Sequence, residues 1–350
     1  MAFSIIYLGK RGGGAELTLK LLEDLSRNST TAINTVVISP GNEKKLAYSV
    51  HPTQVIEFGG ITRLEKLKAA IKVIFFPTKT IEEFGLKNGD SIIFPMVSPL
   101  DLPINYICRR KGIKVIRFLH DAKKHPGDFW PGEATISWVL KHSEIIVTLS
   151  EYVKSKIPDQ YKSKAIVVPH PTFRFRKQIE NSNFDLPPKY ILFIGRIREY
   201  KGLKLLVKAW EKVKDEFDID LVIAGEGRTK GIAGEKFVFI NRWLDDSEIF
   251  DLISEAEIVA FPYIEASQSG LIPTVMSFGK KIVITPMPGL IEQLNLYSRV
   301  QISKSTSEED FAHALKLSLT KNFHKNHEKN LSTDFWLENL VKKLNELKRD

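Results

Sequence analysis

Short apolar runs rich in isoleucine, valine and phenylalanine alternate along the chain with longer segments of helical periodicity. The runs are candidate strands, and they cover residues 3–8, 34–39, 91–95, 113–119, 144–149, 165–169, 190–195, 219–224, 236–240, 257–261 and 281–285. Strands that are apolar throughout and lie between helices are typical of parallel sheets covered on both faces. The pattern therefore predicts an α/β protein built on parallel sheets.

A polar, proline-containing stretch at 170–189 lacks both helical and strand periodicity, and we place the domain boundary in it. On each side lies one series of alternating strands and helices. The prediction is a first Rossmann-like domain at 1–175 and a second at 176–332. The last segment, 333–350, has apolar residues near one face and is expected to form a terminal helix.

Composition narrows the class of protein. The 350 residues and the apolar fraction of 43% suit two domains with real cores, and no apolar run approaches the roughly 20 residues of a spanning helix. The first residues predict a buried strand and not a signal peptide, and the single cysteine, Cys108, excludes internal disulfides. Both features favour a cytoplasmic protein. The net charge of +9 favours anionic partners, although a solvated lysine-rich surface explains it equally well.

Two segments carry the candidate chemistry, and the first follows the strand at 190–195. It consists of Gly195, Arg196, four further residues and Lys201, and a helix comes next. Arginine offers a planar fork and lysine a point charge, so the two suit a diphosphate at the end of a sheet. Fixed cations also stabilise the negative charge that builds on a departing diphosphate. The alternative is a pair of ordinary solvated charges at the start of a helix.

The second segment, 261–285, begins at a strand end and contains a carboxylate, Glu265. A loop of small polar residues follows and is expected to bind substrate; it contains Ser267, Gln268, Ser269 and Gly270. Gly270 permits close approach of the backbone, and free amides at the start of a helix predicted at 270–278 would bind phosphate oxygens. Glu265 is a candidate to hold sugar hydroxyls, and a solvated loop carboxylate is the alternative.

Together the two segments resemble the donor-binding half of the retaining GT-B glycosyltransferases of family 4, the group 1 glycosyltransferases. The resemblance implies two Rossmann-like domains with parallel sheets facing across a cleft, and a terminal helix, 333–350, that packs back on the first domain. It implies that Arg196 and Lys201 clamp the diphosphate of a nucleotide-diphosphate sugar. The donor is then the substrate, no cofactor is needed, and the departing diphosphate helps to deprotonate the acceptor.

The second segment departs from the family pattern, which usually has two glutamates with seven residues between them. Counting from Glu265 places the second at Pro273, and counting back from the turn at 278–280 places it at Thr274. A subset of the family has a Glu-Ala-Ser/Thr-Gln-Ser-Gly loop, and this chain resembles that subset. The ribose is then expected to contact Thr274 or the backbone alone.

Glycines and a histidine of the first half also match the family. The loop after the first strand contains Gly12, Gly13 and Gly14, and the resemblance places it near the donor phosphate and the acceptor. A plain strand-to-helix turn is the alternative. His120, followed by Asp121, stands where the family has a histidine near the reacting carbon, although lone histidines are more often structural. His125 on the next loop is a candidate acceptor contact, and Ser150 is expected to cap a helix.

In the second half, the resemblance places Gly225 beside the nucleotide. The backbone after Asn241 and Arg242 is expected to contact the edge of the base. Because backbone atoms make this contact, the sequence does not reveal which base binds. No Asp-x-Asp motif stands at a strand end, and we therefore expect no metal. Helix 61–76 is amphipathic and basic. It could lie on an anionic bilayer or, as we favour, pack against the sheet of the first domain.

The function expected from the resemblance is retaining transfer of a hexose to a sugar hydroxyl of a glycan or lipid-linked glycan precursor. The setting would be bacterial polysaccharide or O-antigen biosynthesis, in the cytoplasm, with peripheral contact at the inner face of an anionic membrane. Two alternatives keep the fold: a non-catalytic sugar- or nucleotide-binding protein, and a nucleotide-sugar epimerase. A nucleic-acid binder is indicated by charge alone, with no recognised motif, and we do not expect one.

Overall fold

The computed structural model describes residues 2–9, 12–27, 32–40, 54–60, 62–123, 132–173, 175, 184–227, 236–321 and 340–342. The described residues form two units that divide after Pro171, and residues 340–342 belong to the first. Each unit contains one parallel β-sheet and its own hydrophobic core. Both are therefore α/β domains in their own right.

The first unit is built on a seven-stranded parallel sheet. Its strands are β1 (Ala2–Tyr7), β2 (Ala32–Ile38), β3 (Gln54–Glu57), β4 (Ser91–Phe94), β5 (Lys114–Leu119), β6 (Ile145–Thr148) and β7 (Ala165–Val167). Its helices are α1 (Gly13–Arg27), α2 (Arg63–Phe75), α3 (Pro77–Glu83), α4 (Asp101–Arg110), α5 (Glu133–His142), α6 (Glu151–Ser155) and α7 (Asp159–Lys162). The strands pair in the order β3-β2-β1-β4-β5-β6-β7, so the winding reverses between β1 and β4.

The second unit is built on a six-stranded parallel sheet. Its strands are β8 (Tyr190–Ile194), β9 (Asp220–Ala224), β10 (Phe237–Ile240), β11 (Ile258–Phe261), β12 (Lys281–Ile284) and β13 (Val300–Ile302). Its helices are α8 (Leu203–Glu211), α9 (Lys214–Phe217), α10 (Asp246–Glu255), α11 (Ile272–Ser277), α12 (Pro288–Leu294) and α13 (Glu308–Thr320). The strands pair in the order β10-β9-β8-β11-β12-β13, and the winding reverses between β8 and β11.

Strand β8 shows why the apolar runs form central strands. All of its residues are buried, because helices cover both faces of the sheet. The polar ends of large core side chains find backbone partners. The Tyr190 hydroxyl donates to the Leu252 carbonyl at 2.8 Å, and the Trp210 indole donates to the Ile219 carbonyl at 2.9 Å. Their rings can therefore be buried without leaving a polar atom unsatisfied.

All the strands predicted from apolar runs are present, and the described residues contain two further strands that were missed. The missed strands, β3 and β13, lie at the edges of the two sheets. Their residues are exposed or half-buried, so they carry no continuous apolar run. An edge strand has one neighbour and less cover, which removes the signal on which the prediction depended.

Three helix predictions have different outcomes. Ser150 caps α6, because its hydroxyl accepts the Val153 amide at 3.1 Å, and that prediction is confirmed. A helix is present within 61–76, and Ala69 and Val73 pack in one buried cluster with strand residues such as Ile6, as we favoured, while its large apolar side chains stay exposed. Of the predicted terminal helix 333–350, only 340–342 are described; they are helical, and Leu340 and Val341 are buried. No described helix is long and apolar enough to cross a membrane.

Candidate functional site

The two motif segments meet at one place in the second unit. The first follows β8 and the second follows β11, and these strands are neighbours in the sheet. Both segments lie at the carboxyl ends of their strands, at the point where the winding of the chain reverses. Open parallel sheets bind ligands at this position. The topology therefore brings Arg196, Lys201 and Glu265 to the same edge.

Direct hydrogen bonds join the two loops. The Tyr200 carbonyl accepts the Ile264 amide at 2.8 Å and the Glu265 amide at 3.4 Å. Gly202 has a left-handed backbone with φ of 65°, and a Cβ there would lie 1.8 Å from the Pro262 carbonyl oxygen. Only glycine fits this contact. The turn that carries Lys201 is thereby fixed against the segment that carries Glu265.

The two cations of the first segment are not neutralised by nearby acids. Among the described residues, neither Arg196 nor Lys201 forms an ion pair, whereas Arg242 pairs with Glu248 and Lys281 pairs with Glu257. Arg196 is exposed. The Lys201 ammonium lies 5.1 Å from the centre of the Tyr263 ring, which supports its position without cancelling its charge. Among the described residues, this edge of the sheet therefore presents two cations that no ion pair engages.

Helix α12 supports the loop after Glu265. The Gln293 side chain accepts the Ser269 amide at 2.8 Å and donates to the Ser269 carbonyl at 3.2 Å. A Cβ on Gly289 would lie 2.0 Å from the Ser267 carbonyl oxygen, so α12 approaches the loop closely. Ser269 is buried, and half-buried positions are occupied by Glu265, Ser267, Gln268 and Gly270. The support from Gln293 and Gly289 has no signature in the sequence.

The helix predicted at 270–278 is shorter in the structure, where α11 spans Ile272–Ser277. The Ile272 amide bonds to the Ser269 carbonyl at 3.3 Å, and Pro273 has no amide proton. The start of α11 therefore offers fewer free amides than we predicted. Its contribution to phosphate binding is reduced accordingly.

Thr274 also differs from the prediction. Its side chain is fully buried, and its hydroxyl bonds to the Phe173 amide at 3.2 Å and to the Phe173 carbonyl at 3.3 Å. Because this buried hydroxyl bonds to both backbone groups of Phe173, it holds α11 against the segment that contains Phe173. The structure thus corrects the expected ribose contact of Thr274 and leaves the backbone as the alternative.

The remaining predicted residues of the second unit shape its loops. Gly225 has φ of 144°, and a Cβ there would lie 2.1 Å from the Gly195 carbonyl oxygen. The residues that directly follow β8 and β9 are therefore in close contact. The Asn241 side chain accepts the Gly227 amide at 3.0 Å. The Arg242 guanidinium bonds to Glu248 and lowers the pKa of that carboxyl. These two side chains are engaged within the protein, and the predicted contact of their backbone with a base stays a prediction.

In the first unit, the glycine loop follows β1 beside the other point where the winding reverses. Gly12 has φ of 91°, and α1 begins at Gly13. A Cβ on Gly14 would lie 2.4 Å from the Met96 side chain, so α1 packs tightly against the loop after β4. Gly13 is exposed, and a Cβ there would meet nothing within 4 Å. The loop is thus packed on one side and open at Gly13.

Two neutral histidines lie at the carboxyl edge of the first sheet. His120 follows β5, and its Nε2 lies 2.9 Å from the Pro95 carbonyl oxygen. Burial lowers the pKa of His120, and the hydrogen bond to Pro95 and the charge of Asp121 oppose that shift. Burial also lowers the pKa of His170, beyond β7, to about 4, and the nearby His120 contributes. We missed His170, although it follows a parallel strand as His120 does; His125 lies outside the described residues.

The neutral state of His170 leads to a prediction for stability. A histidine with a lowered folded pKa stabilises the protein above its ordinary value of 6.5, and this contribution is lost as the pH falls toward the folded pKa. At pH 5 the loss is about 2 kcal/mol. Urea unfolding should therefore show that wild type loses this much more stability than His170→Gln between pH 7 and pH 5. Equal losses would mean that His170 is not held neutral.

A buried ion pair supports the loop on which His120 depends. The Arg117 guanidinium lies 2.7 Å from the Asp101 carboxylate and 3.0 Å from the Met96 carbonyl, and it stacks over the Phe94 ring. Both charged side chains are almost fully buried. Burial raises the pKa of Asp101 to about 6. The pair fixes the loop after β4, which includes the Pro95 carbonyl beside His120.

The described residues contain no group of three or more histidine, cysteine, aspartate or glutamate side chains that could hold a metal ion. Of the single cysteine, Cys108, the structure shows a buried thiol in the core of the first unit, and burial raises its pKa. The described residues at the two edges offer amides, cations, carboxylates and neutral imidazoles.

Residues 188–321, which lie in the second unit, match the protein family described as glycosyl transferases group 1. The match includes both motif segments. A curated relative, an uncharacterized glycosyltransferase of Methanocaldococcus jannaschii, is 26% identical over 113 residues. That match spans 30% of this chain and 29% of the relative, so it covers less than a third of the relative's length.

Solved structures of two kinds share the fold. A glycosyltransferase of Rickettsia africae has a TM-score of 0.70 at 14% identity, and the match covers 100% of this chain and 99% of that one. A UDP-GlcNAc 2-epimerase of Neisseria meningitidis, bound to UDP-GlcNAc, has a TM-score of 0.62 at 14% identity, with 100% of its chain and 99% of this one covered. Likeness at this identity shows the fold alone. The predicted class, two parallel-sheet Rossmann-like α/β domains of the GT-B type, is confirmed.

Proposed function

We propose that the protein is a retaining hexosyltransferase of family 4 that uses a nucleotide-diphosphate sugar as donor. One observation supports this function most directly. The loop with Arg196 and Lys201 and the loop with Glu265 are hydrogen-bonded together at the point where the second sheet reverses its winding. Cations next to a carboxylate suit a ligand that joins a diphosphate to a sugar.

Each of these side chains has a proposed role in the transfer step. The bond between the anomeric carbon and the diphosphate oxygen breaks, and negative charge moves onto the diphosphate. Arg196 and Lys201 stabilise that charge, and Lys201 is positioned beside the Tyr263 ring before the reaction. Glu265 accepts hydrogen bonds from sugar hydroxyls. Neutral His120 contacts the sugar near the reacting carbon. The acceptor oxygen forms the new bond to that carbon, and the departing diphosphate takes the acceptor proton.

The proposed acceptor is a sugar hydroxyl of a glycan or lipid-linked glycan precursor in bacterial polysaccharide biosynthesis, within the cytoplasm. The match to the group 1 glycosyltransferases and the basic charge of +9 support an anionic, phosphate-bearing substrate. Peripheral contact with the inner face of a membrane belongs to the same function, because it would bring the enzyme to a lipid-linked acceptor.

A nucleotide-sugar epimerase is the second candidate, because structures named as UDP-GlcNAc 2-epimerases share the fold over almost the whole chain. The two reactions differ in a simple way: an epimerase changes a nucleotide sugar without any acceptor. Incubation with UDP-GlcNAc alone, followed by proton NMR, separates them. A new epimer would favour the epimerase, and an unchanged donor would favour the transferase. A non-catalytic protein would bind nucleotide sugars and convert none.

The experiment that tests the transferase is a donor screen followed by a product assay. Thermal shift with a panel of nucleoside diphosphates identifies the base, and the corresponding nucleotide sugars are then offered with glycan acceptors. We expect one donor to yield a product whose new linkage has the anomeric configuration of the donor, as read from the proton NMR coupling constant. Inversion of that configuration would overturn the retaining mechanism.

Metal removal gives a further prediction. Because protein cations take the place of a divalent ion at the diphosphate, turnover should survive dialysis against excess EDTA with less than about a twofold change, compared with the roughly 100-fold loss on removing one cation. The measurement is the rate of nucleoside diphosphate release before and after dialysis. A full loss of turnover that magnesium or manganese restores would contradict this assignment of roles.

A further inference from the structure

The first unit presents a helix whose large apolar side chains face away from the protein. Six such side chains on α2 and the residue after it are between 44% and 70% exposed; they are Leu64, Leu67, Ile71, Ile74, Phe75 and Phe76. We name these six residues the α2 apolar face. A surface helix normally turns residues of this kind toward the core, and a contiguous exposed patch marks an interaction site.

The orientation of α2 is fixed by its opposite side. Only Ala69 and Val73 of this helix are buried, and they pack in a cluster that includes Phe84 and Cys108. Helical geometry places these two small residues across the helix from Leu67 and Ile71. The large side chains cannot exchange places with the small ones without overfilling that core. Their exposure is therefore a property of the packing.

The start of α2 is fixed as well. The Thr62 hydroxyl accepts the Glu65 amide at 3.2 Å, and the Glu65 carboxylate accepts the Thr62 amide at 2.9 Å, which forms a capping box. Glu65 is the single acid of the helix, so this bond holds its charge at the N-terminal end. All the other charged residues of the helix are basic.

The cations of α2 surround the α2 apolar face. Arg63 and Lys68 are exposed and Lys66 is half-exposed, and in the part of the chain that the structure describes none of the three pairs with an acid. Lys72 differs, because it pairs with Glu83 of the next helix. Apolar side chains flanked by free basic ones match the boundary of an anionic bilayer, where acyl chains lie beneath negative headgroups.

We infer that the α2 apolar face is a docking surface for an anionic lipid bilayer. The helix has 13 residues, which gives a length of about 20 Å, and it lies along the membrane surface with its apolar side chains among the acyl chains. The cations contact the headgroups. A second copy of this chain fits less well, because a two-fold contact through this face would bring the same cations together, in a protein with a net charge of +9.

The test is co-sedimentation of the full chain with vesicles at low salt. Vesicles of phosphatidylcholine with about one third phosphatidylglycerol are compared with vesicles of phosphatidylcholine alone, and neither donor nor acceptor is present. We expect binding to the anionic vesicles, little binding to the neutral ones, and a decrease as salt is added. Because no catalysis is involved, this inference and the proposed transfer reaction can fail independently.

Two variants identify the surface, and each has a matched control. Ile71→Gln/Phe75→Gln removes apolar area, and Lys66→Glu/Lys68→Glu reverses charge; each should weaken binding roughly tenfold or more. The controls carry the same kinds of change at exposed positions elsewhere: Leu296→Gln/Leu317→Gln for the first, and Lys114→Glu/Lys304→Glu for the second. Circular dichroism confirms that the variants are folded, as expected for changes at exposed side chains.

Each outcome decides the inference. Binding that both surface variants lose and both controls keep supports it. Absence of binding to anionic vesicles overturns it, and so does binding that the surface variants retain. Light scattering tests the other possible occupant, a second copy of the chain. A wild-type dimer that Ile71→Gln/Phe75→Gln converts to a monomer would assign the face to that second copy instead.

Discussion

Alanine in place of Arg196 or Lys201 is expected to slow sugar transfer roughly 100-fold while the protein stays folded. Both side chains should bind the diphosphate more strongly once it carries the charge of the broken bond. Removing one such contact costs about 3 kcal/mol in the transition state. The loss should appear in kcat as well as in kcat/KM, because the charge develops only during the reaction.

Neighbouring cations provide the control for this prediction. Arg198 and Lys204 lie in the same segment and are exposed, but they are not part of the motif. Arg198→Ala and Lys204→Ala should keep transfer within about twofold of wild type, because a solvated surface charge contributes little. Thermal unfolding of all four variants should stay close to that of wild type. A near-normal kcat for Arg196→Ala or Lys201→Ala would remove the diphosphate clamp from the mechanism.

Arg117→Met is expected to lower the free energy of unfolding by about 3–5 kcal/mol at pH 7, because it leaves the buried Asp101 carboxylate without its partner. The pKa of Asp101 is already raised by burial to about 6. Arg117 opposes that shift, so its removal raises the pKa of Asp101 further, and the carboxyl of the folded variant takes up a proton as the pH falls. The loss should therefore be smaller at pH 5. Transfer should fall too, since this pair holds the loop beside His120.

Two comparisons check this account of the buried pair by urea unfolding. Lys111→Met removes one partner of an exposed pair, with Glu82 at 2.7 Å, and should cost no more than about 1 kcal/mol. Arg117→Met/Asp101→Leu removes both buried charges and should be more stable than Arg117→Met alone. A loss for Arg117→Met that is no greater than that for Lys111→Met would show that the buried charge is tolerated.

The central strands and the two motif loops could be predicted from the sequence because they depend on local signals. Strands buried on both faces, such as β8, read as continuous apolar runs, and Gly195 and Gly202 mark the turn between strand and helix. The edge strands β3 and β13 lack that signal because they are partly exposed. Strand order then brings the two loops together, which no local pattern specifies.

The features that were missed depend on contacts between residues far apart in the chain. The hydroxyl of Thr274 is occupied by Phe173, and Ser269 is held by Gln293; neither pairing has a sequence signature. Helix α2 shows the same limit. Its periodicity revealed an apolar face, but the small residues Ala69 and Val73 make the contact with the core, and the face itself stays exposed.

Calorimetric titration of nucleoside diphosphates tests the central claim, a diphosphate site between the loops of Arg196 and Glu265, most directly. Wild type, Lys201→Ala and Lys204→Ala are titrated with the diphosphate that the thermal-shift panel selects and with the matching monophosphate. We expect the diphosphate to bind wild type and Lys204→Ala equally, and Lys201→Ala and the monophosphate complex to be at least about tenfold weaker. Equal affinity of Lys201→Ala and wild type, or no binding of any nucleoside diphosphate, would contradict it.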